Sequence, residues 1–118
     1  TQTNTPLQAL VMMNDPTVAE ASRVLAEKLM AGRTSFEEKI KQAFRAIVCR
    51  EAKAAELTTL MRYFGQEVAQ LETDEATRNL LISVGEYPHV SVEDKVALAA
   101  LIEVVMTLYN LDEAITKS

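Results

Sequence analysis

Few side chains in this chain are placed to do chemistry. His89 is its one histidine and Cys49 its one cysteine. His89 stands in the run Gly85-Glu86-Tyr87-Pro88-His89-Val90 with no Cys or carboxylate at a metal-ligand spacing and no Ser or Cys in a nucleophile setting, so it reads as exposed and non-catalytic. Cys49 has no internal disulfide partner and excludes a Cys-x-x-Cys-His haem attachment, and one cysteine leaves the redox compartment unread. Arg45 and Arg50 share one side of a helix end and could bind a carboxylate. Arginine near a helix C-terminus is favoured by the dipole in any case, and that plainer reading is preferred. Glu103 is the sharpest candidate, a carboxylate inside a run that is apolar almost all round from Val96 to Leu111. Such a group must lie at the surface edge, pair with Arg or Lys, or accept from free amides at a helix start. The surface edge is the favoured expectation, because a catalytic acid needs a second polar partner that the sequence does not identify. Near the end, Asn110, Asp112 and Glu113 are acidic or amide groups without the Asp-x-Asp-x-Asp-Gly pattern of a cation loop. The expectation is therefore that Asn110 stops a helix and Asp112 caps a final turn through Ile115.

The elements that must position these residues are all helical. Thr5 can cap a short helix that opens with Pro6, with Gln8 in position to reach back, and Leu7, Leu10, Val11 and Met12 supply its apolar turns. Asn14-Asp15-Pro16 repeats the device, with Asp15 as cap and Pro16 as first residue of a helix over 16–31. There Val18, Ala21, Leu25 and Leu29 form the expected core stripe, Glu20, Arg23, Glu27 and Lys28 take the other side, and Gly32 is the stop. Ser35 and Glu38 make a capping box for the next helix, whose stripe is Phe36, Ile40, Ala43, Phe44 and Ile47. A fourth helix over 54–71 carries Leu57, Leu60, Met61, Phe64, Val68 and Leu71. The Met61 and Phe64 pair is read as core in preference to a ligand groove, and Gly65 as a point of close packing. Thr73-Asp74 opens a shorter helix through Leu80, Leu81 and Val84, stopped by Gly85. Ser91 and Asp94 introduce the last, over 92–109, whose all-round apolarity marks a helix surrounded by others.

The predicted fold is a single all-α domain over 1–118, an irregular bundle of five or six helices with mostly antiparallel neighbours and the apolar last long helix at its centre. With Lys and Arg numbering 12 against 17 Asp and Glu, and a net charge of -5, the chain lacks the basic face that counterion release requires, so nucleic acid is not an expected partner. Only 3 glycines are present, and none forms a phosphate-cradling loop. No transmembrane segment is expected, because the apolar run falls short of the ~20 residues needed and Glu103 lies near its middle.

Thr3-Asn4-Thr5-Pro6-Leu7-Gln8-Ala9-Leu10 followed by Asn14-Asp15-Pro16 resembles the opening of a C-terminal domain of unknown function found in large exported, often cytochrome-c-linked proteins of planctomycetes and related bacteria. Asn110-Leu111-Asp112-Glu113-Ala114-Ile115-Thr116-Lys117 is similar to the motif that closes those proteins, and Ala43-Phe44-Arg45, Arg50 and Glu56-Leu57 fit the middle. The chain departs from the pattern after that middle stretch. Relatives usually carry a Gly before the Arg, one or two Pro after it and a Ser or Thr cap, where this chain has Cys49, Glu51-Ala52 and Lys53. Lys53 cannot accept a backbone hydrogen bond as a cap does, so the flanking helices are expected to run closer to continuous.

The resemblance implies a fragment of a longer exported protein of the periplasm or cell envelope, without a cofactor of its own. Its expected partners are the remaining domains of the parent polypeptide or another envelope protein. Strong caps and no convergent polar constellation point to a non-catalytic structural or interaction domain. The alternative is an accessory part of a parent-chain enzyme acting on polysaccharide or in cytochrome-linked electron transfer, with Asn4, Asn14, Asp15, Asn110 and Asp112 converging on one open pocket.

Overall fold

The computed structural model describes residues 15–117, with side chains to Asp112. Five helices follow one another: α1 (Pro16–Met30), α2 (Phe36–Val48), α3 (Ala54–Thr73), α4 (Glu75–Ser83) and α5 (Lys95–Lys117). No strand occurs among the described residues. The expected first short helix, with Asn4, Thr5, Pro6, Gln8 and Asn14, lies outside them.

α5 is the axis of the bundle, and each of the other four helices packs against it. From Ala97 to Met106 every residue is buried, and Leu108 extends the row. An unbroken apolar run of this kind buries on all sides, which a one-sided stripe cannot do. Asp94 starts the helix by accepting from the Ala97 amide at 3.0 Å, whereas Ser91 stays outside it. At its other end the expectation fails. The helix runs through Asn110 and Asp112 without a break, so neither residue is a stop or a cap. Nothing at Asn110 forces a left-handed turn, and without Gly or Pro the run of helix formers simply continues.

The remaining helix starts have local causes. Asp15 accepts from Thr17 N–H at 2.8 Å with Pro16 at the first helical position, and Ser35 accepts from Glu38 N–H at 3.1 Å. Asp74 serves two helices, ending α3 and accepting from the Thr77 amide and hydroxyl at 3.1 and 2.7 Å. Buried Lys39 ties the turn between α1 and α2, its ammonium donating to the carbonyls of Gly32 and Thr34 at 2.8 and 2.9 Å.

The junction between α2 and α3 corrects a second expectation. The two helices are not continuous: Cys49 adopts the left-handed conformation, φ 67°, and terminates α2. A glycine is the usual residue in that conformation because it has no Cβ to crowd the following carbonyl. Lys53 indeed offers no side-chain cap, but the Glu56 carboxylate accepts from its amide at 2.8 Å and starts α3 from the other half of a capping box. Gly65 is exposed with open space where a Cβ would stand, so close packing does not explain it. Phe64 is core and stacks on Phe36, ring centroids 4.8 Å apart.

Candidate functional site

The face that α1 buries is not the one its apolar pattern selects. Ala19, Ser22, Arg23, Ala26 and Glu27 are buried, while Val18, Ala21, Leu25 and Leu29 are half-buried. Small side chains at Ala19, Ser22 and Ala26 let the backbone of α1 approach α5 closely, which a Val/Leu stripe would hold off. Leu25 and Leu29 still pack against the edge of the core. Ala21, Val24 and Leu25 form one wall of a groove of about 540 Å³, closed by Ala46 and Ile47 of α2 and Tyr109 of α5. Thr17, Glu20, Lys28 and Asp112 line its polar edge, and Tyr87, 56% exposed, stands at its mouth.

Arg23 and Glu27 were expected on the solvent side, yet their exposures are 0% and 3%. They pair at 2.8 Å across one helical turn. Arg23 also donates from Nε to the Val84 carbonyl and from Nη2 to the Tyr87 carbonyl, both at 2.6 Å. Glu27 accepts from the Val90 amide at 3.2 Å. One buried ion pair therefore holds both ends of the 84–90 connection. Glu20 adds a hydrogen bond from the Tyr87 amide, and Gly85, φ 85°, leaves the space into which the Glu20 side chain fits. His89 lies on this connection, its Nδ1 3.8 Å from Glu27, with the ring nearly half exposed.

Glu103 contradicts the expected surface edge. It is 1% exposed, and its Oε2 has no hydrogen-bond partner. Facing it from α3 are Tyr63 and Glu67, and the Glu67 Oε1 is likewise buried without a partner. Burial, reinforced by the charge on Glu67, pushes the Glu103 carboxyl up to about 8. Burial raises Glu67 as well. Tyr63 is pushed up to about 12, first by burial and then by Glu103, while a contact from Thr107 pulls the other way. Thr107 itself donates to the Glu103 carbonyl at 2.9 Å.

The other candidates are spent on neighbours within the chain. Arg50 forms a two-pronged bond to Glu56 at 2.9 and 2.8 Å, which holds that carboxyl down at about 2, and it stands 5.0 Å over the Phe44 ring. Arg45 pairs with Glu51 at the exposed surface. Cys49 is exposed and its thiol contacts the Ile47 carbonyl. Among the described residues no three His, Cys, Asp or Glu side chains gather as metal ligands, and no helix is long and apolar enough to cross a membrane. Asp112 lines the groove, Asp15 and Ser35 stay at their own helix starts, and Glu38 borders a separate hollow with Arg45 and Glu51.

What the fold and its sites define is an all-helical bundle with an apolar groove and two buried polar clusters. Residues 1–64 match the family described as Protein of unknown function (DUF1553), and the chain belongs to that family. The match takes in the Thr3–Leu10 and Asn14–Pro16 motifs and ends within α3. No curated protein and no solved structure matches the chain.

Proposed function

We propose that this chain is a non-catalytic structural and interaction domain that docks on the remaining domains of a larger exported protein through the groove between α1, α2 and α5. The observation that supports the reading is the rotation of α1. Its small and charged face is buried, and Ala21, Val24 and Leu25 are left half-buried along an open groove. An outward apolar wall rimmed by polar groups is the usual form of a surface made for a partner helix or loop.

The C-terminal position in the parent, export to the cell envelope and the link to cytochrome-c proteins rest on the sequence resemblance. We assign the chain no cofactor of its own. An accessory role in a parent-chain enzyme would draw support from Asn4, Asn14, Asp15, Asn110 and Asp112 gathered at one pocket; of these, Asn4 and Asn14 lie outside the described residues, and Asp112 lines the groove without Asp15 or Asn110, which favours the docking role.

Calorimetric titration of the domain with the rest of its parent polypeptide tests the proposal. Micromolar or tighter binding with a negative heat-capacity change is the expected result, because apolar surface leaves water on docking. Val24→Asp should weaken that binding at least tenfold with little change in thermal stability. Absence of binding, or binding indifferent to Val24→Asp, overturns it.

A further inference from the structure

The groove between α1, α2 and α5 begins at the N-terminal end of α1. Thr17, in the first turn of that helix, lines it, and Glu20, Ala21, Val24, Leu25 and Lys28 carry the wall onward. Ala21, Val24 and Leu25 are only half-buried there. Asp15, the cap, has a non-helical backbone with φ -55° and ψ 127°, so α1 does not extend back through it as a straight rod. The chain that precedes Pro16 therefore joins the bundle at one end of the groove and at an angle to α1.

Residues 1–14 come just before this end, and their sequence has the properties that an occupant of the groove needs. They include no Asp, Glu, Lys, Arg or His, so seating them against Ala21, Val24, Leu25 and Ala46 buries no charged side chain. Leu7, Leu10 and Val11 recur at helical spacing, on one side of the short helix that Thr5 and Pro6 open by sequence. A helix this short does not hold in water by itself. It needs a wall for its apolar side, and the half-open face of α1 is next to it in the chain. The lengths agree as well. At about 1.5 Å per residue, residues 6–13 span about 12 Å, as does α1 from Thr17 to Val24. A connection as short as Asn14-Asp15 turns one helix back antiparallel on the next, which sets Leu10 level with Ala21 and Leu7 level with Val24.

We propose that residues 6–13 fold back as a short helix into this groove and cover it in the free chain, so that a partner docking there has to displace them. Leu7, Leu10 and Val11 then shield Ala21, Val24 and Leu25 from water. The hold is weak, because the burial of a few aliphatic side chains is opposed by the lost freedom of the whole segment. A cover of that strength yields to a partner with a larger apolar side and keeps the groove from sticking to other surfaces in the meantime. The seating of the segment stands by itself, whereas its displacement rests on the docking reading above.

Methyl NOE spectroscopy of the full chain, without a partner, tests the seating. Leu7 should show cross-peaks to Val24, and Leu10 to Ala21. Leu10→Asp should erase them and leave the contacts of the core residues Leu101 and Val105 unchanged, since residue 10 precedes the bundle. If wild type shows no cross-peak from Leu7, Leu10 or Val11 to the groove, the proposal is overturned. Cross-peaks that reach the groove only from a second, differently labelled copy overturn it too. Calorimetric titration with the rest of the parent polypeptide tests the displacement. Leu10→Asp should bind at least fivefold more tightly than wild type, and saturating wild type with the partner should remove the cross-peaks. Equal affinities, or cross-peaks that survive at saturation, overturn the displacement. Should the cross-peaks be present while neither protein binds, the docking reading fails and the seated segment stands.

Discussion

Two charged clusters lie inside this bundle, and they are stabilised in opposite ways. On α1, Arg23 and Glu27 neutralise each other, and the backbone of the 84–90 connection takes up their remaining hydrogen-bonding capacity. Between α3 and α5, Glu67 and Glu103 have the same sign, and each keeps an oxygen without a partner. A buried charge costs several kcal/mol unless it is paired or neutralised. The first cluster is paired by a side chain, which is always present. The second has no paired cation among the described ion pairs, and burial favours its protonated form, whose population depends on the medium. The clasp on α1 therefore ties a loop permanently, whereas the seam at Glu103 makes stability a function of pH.

Breaking the clasp should have the largest effect. Arg23→Met leaves Glu27 buried and unpaired and removes the donors to the Val84 and Tyr87 carbonyls, a loss of about 3–5 kcal/mol. Equilibrium urea unfolding at pH 7 measures it. Adding Glu27→Leu should recover part of that loss, because the double change removes the orphaned charge. A double variant no better than Arg23→Met would mean that the tie to the 84–90 backbone, and not the charge balance, is what the clasp supplies.

At the second cluster the sign of the pH dependence follows from the raised carboxyl. Its folded value of about 8 lies above the ordinary glutamate value of 4.5, so the folded state holds the proton more tightly than the unfolded chain. The resulting stability is complete below pH 4.5, declines as the pH rises, and is gone above about 8. Thermal unfolding across this window should show a fall on the order of a few kcal/mol in wild type. In Glu103→Gln most of that slope should vanish, and the variant should be the more stable protein in mild alkali. Parallel curves would remove the contrast between the two clusters.

The contrast also explains what could be read from the chain beforehand. The central helix was legible because apolar residues recur on every side from Val96 to Leu108, and no other environment suits such a helix. The caps at Asp15, Ser35 and Asp94 were legible because each acts within three residues. The buried face of α1 was not. Both of its faces carry apolar residues, and the one chosen depends on how closely small side chains let it approach α5. Arg23 gave no local signal either, since its acceptors are carbonyls 61 and 64 positions away. An Arg and a Glu four apart are an ordinary surface pattern, and only the docked loop makes them interior. Glu103 was visible as an anomaly, but its counterpart Glu67 lies on another helix, and nothing in spacing joins them. The groove is hidden for the same reason, because how far Ala21, Val24 and Leu25 stay open depends on how α1, α2 and α5 pack together.

A smaller test of the clasp leaves its charges intact. Gly85 holds a positive φ, and a Cβ there would come within 2.5 Å of the Glu20 side chain. Gly85→Ala should cost about 1–2 kcal/mol from the left-handed backbone alone. The bond from the Tyr87 amide to Glu20 should loosen with it. Hydrogen exchange at Tyr87 should therefore quicken, while the pH slope set by Glu103 stays as in wild type. A change in that slope would show that the two clusters are coupled through α5.

The least effect, and a gain at every pH, is expected at Cys49, remote in sequence from both clusters. It occupies a left-handed helix end, φ 67°, without being glycine. A side chain there costs about 1–2 kcal/mol, and glycine returns roughly half of that through the extra freedom of the unfolded chain. Cys49→Gly should thus stabilise the domain by about 0.5–1 kcal/mol in urea unfolding. Because this change touches no charge, its gain should be the same at pH 5 and pH 9. A gain confined to one of those pH values would mean that α2, which carries Cys49 at its end, shares in the seam at Glu103, and the separation of a fixed clasp from a titrating seam would no longer hold.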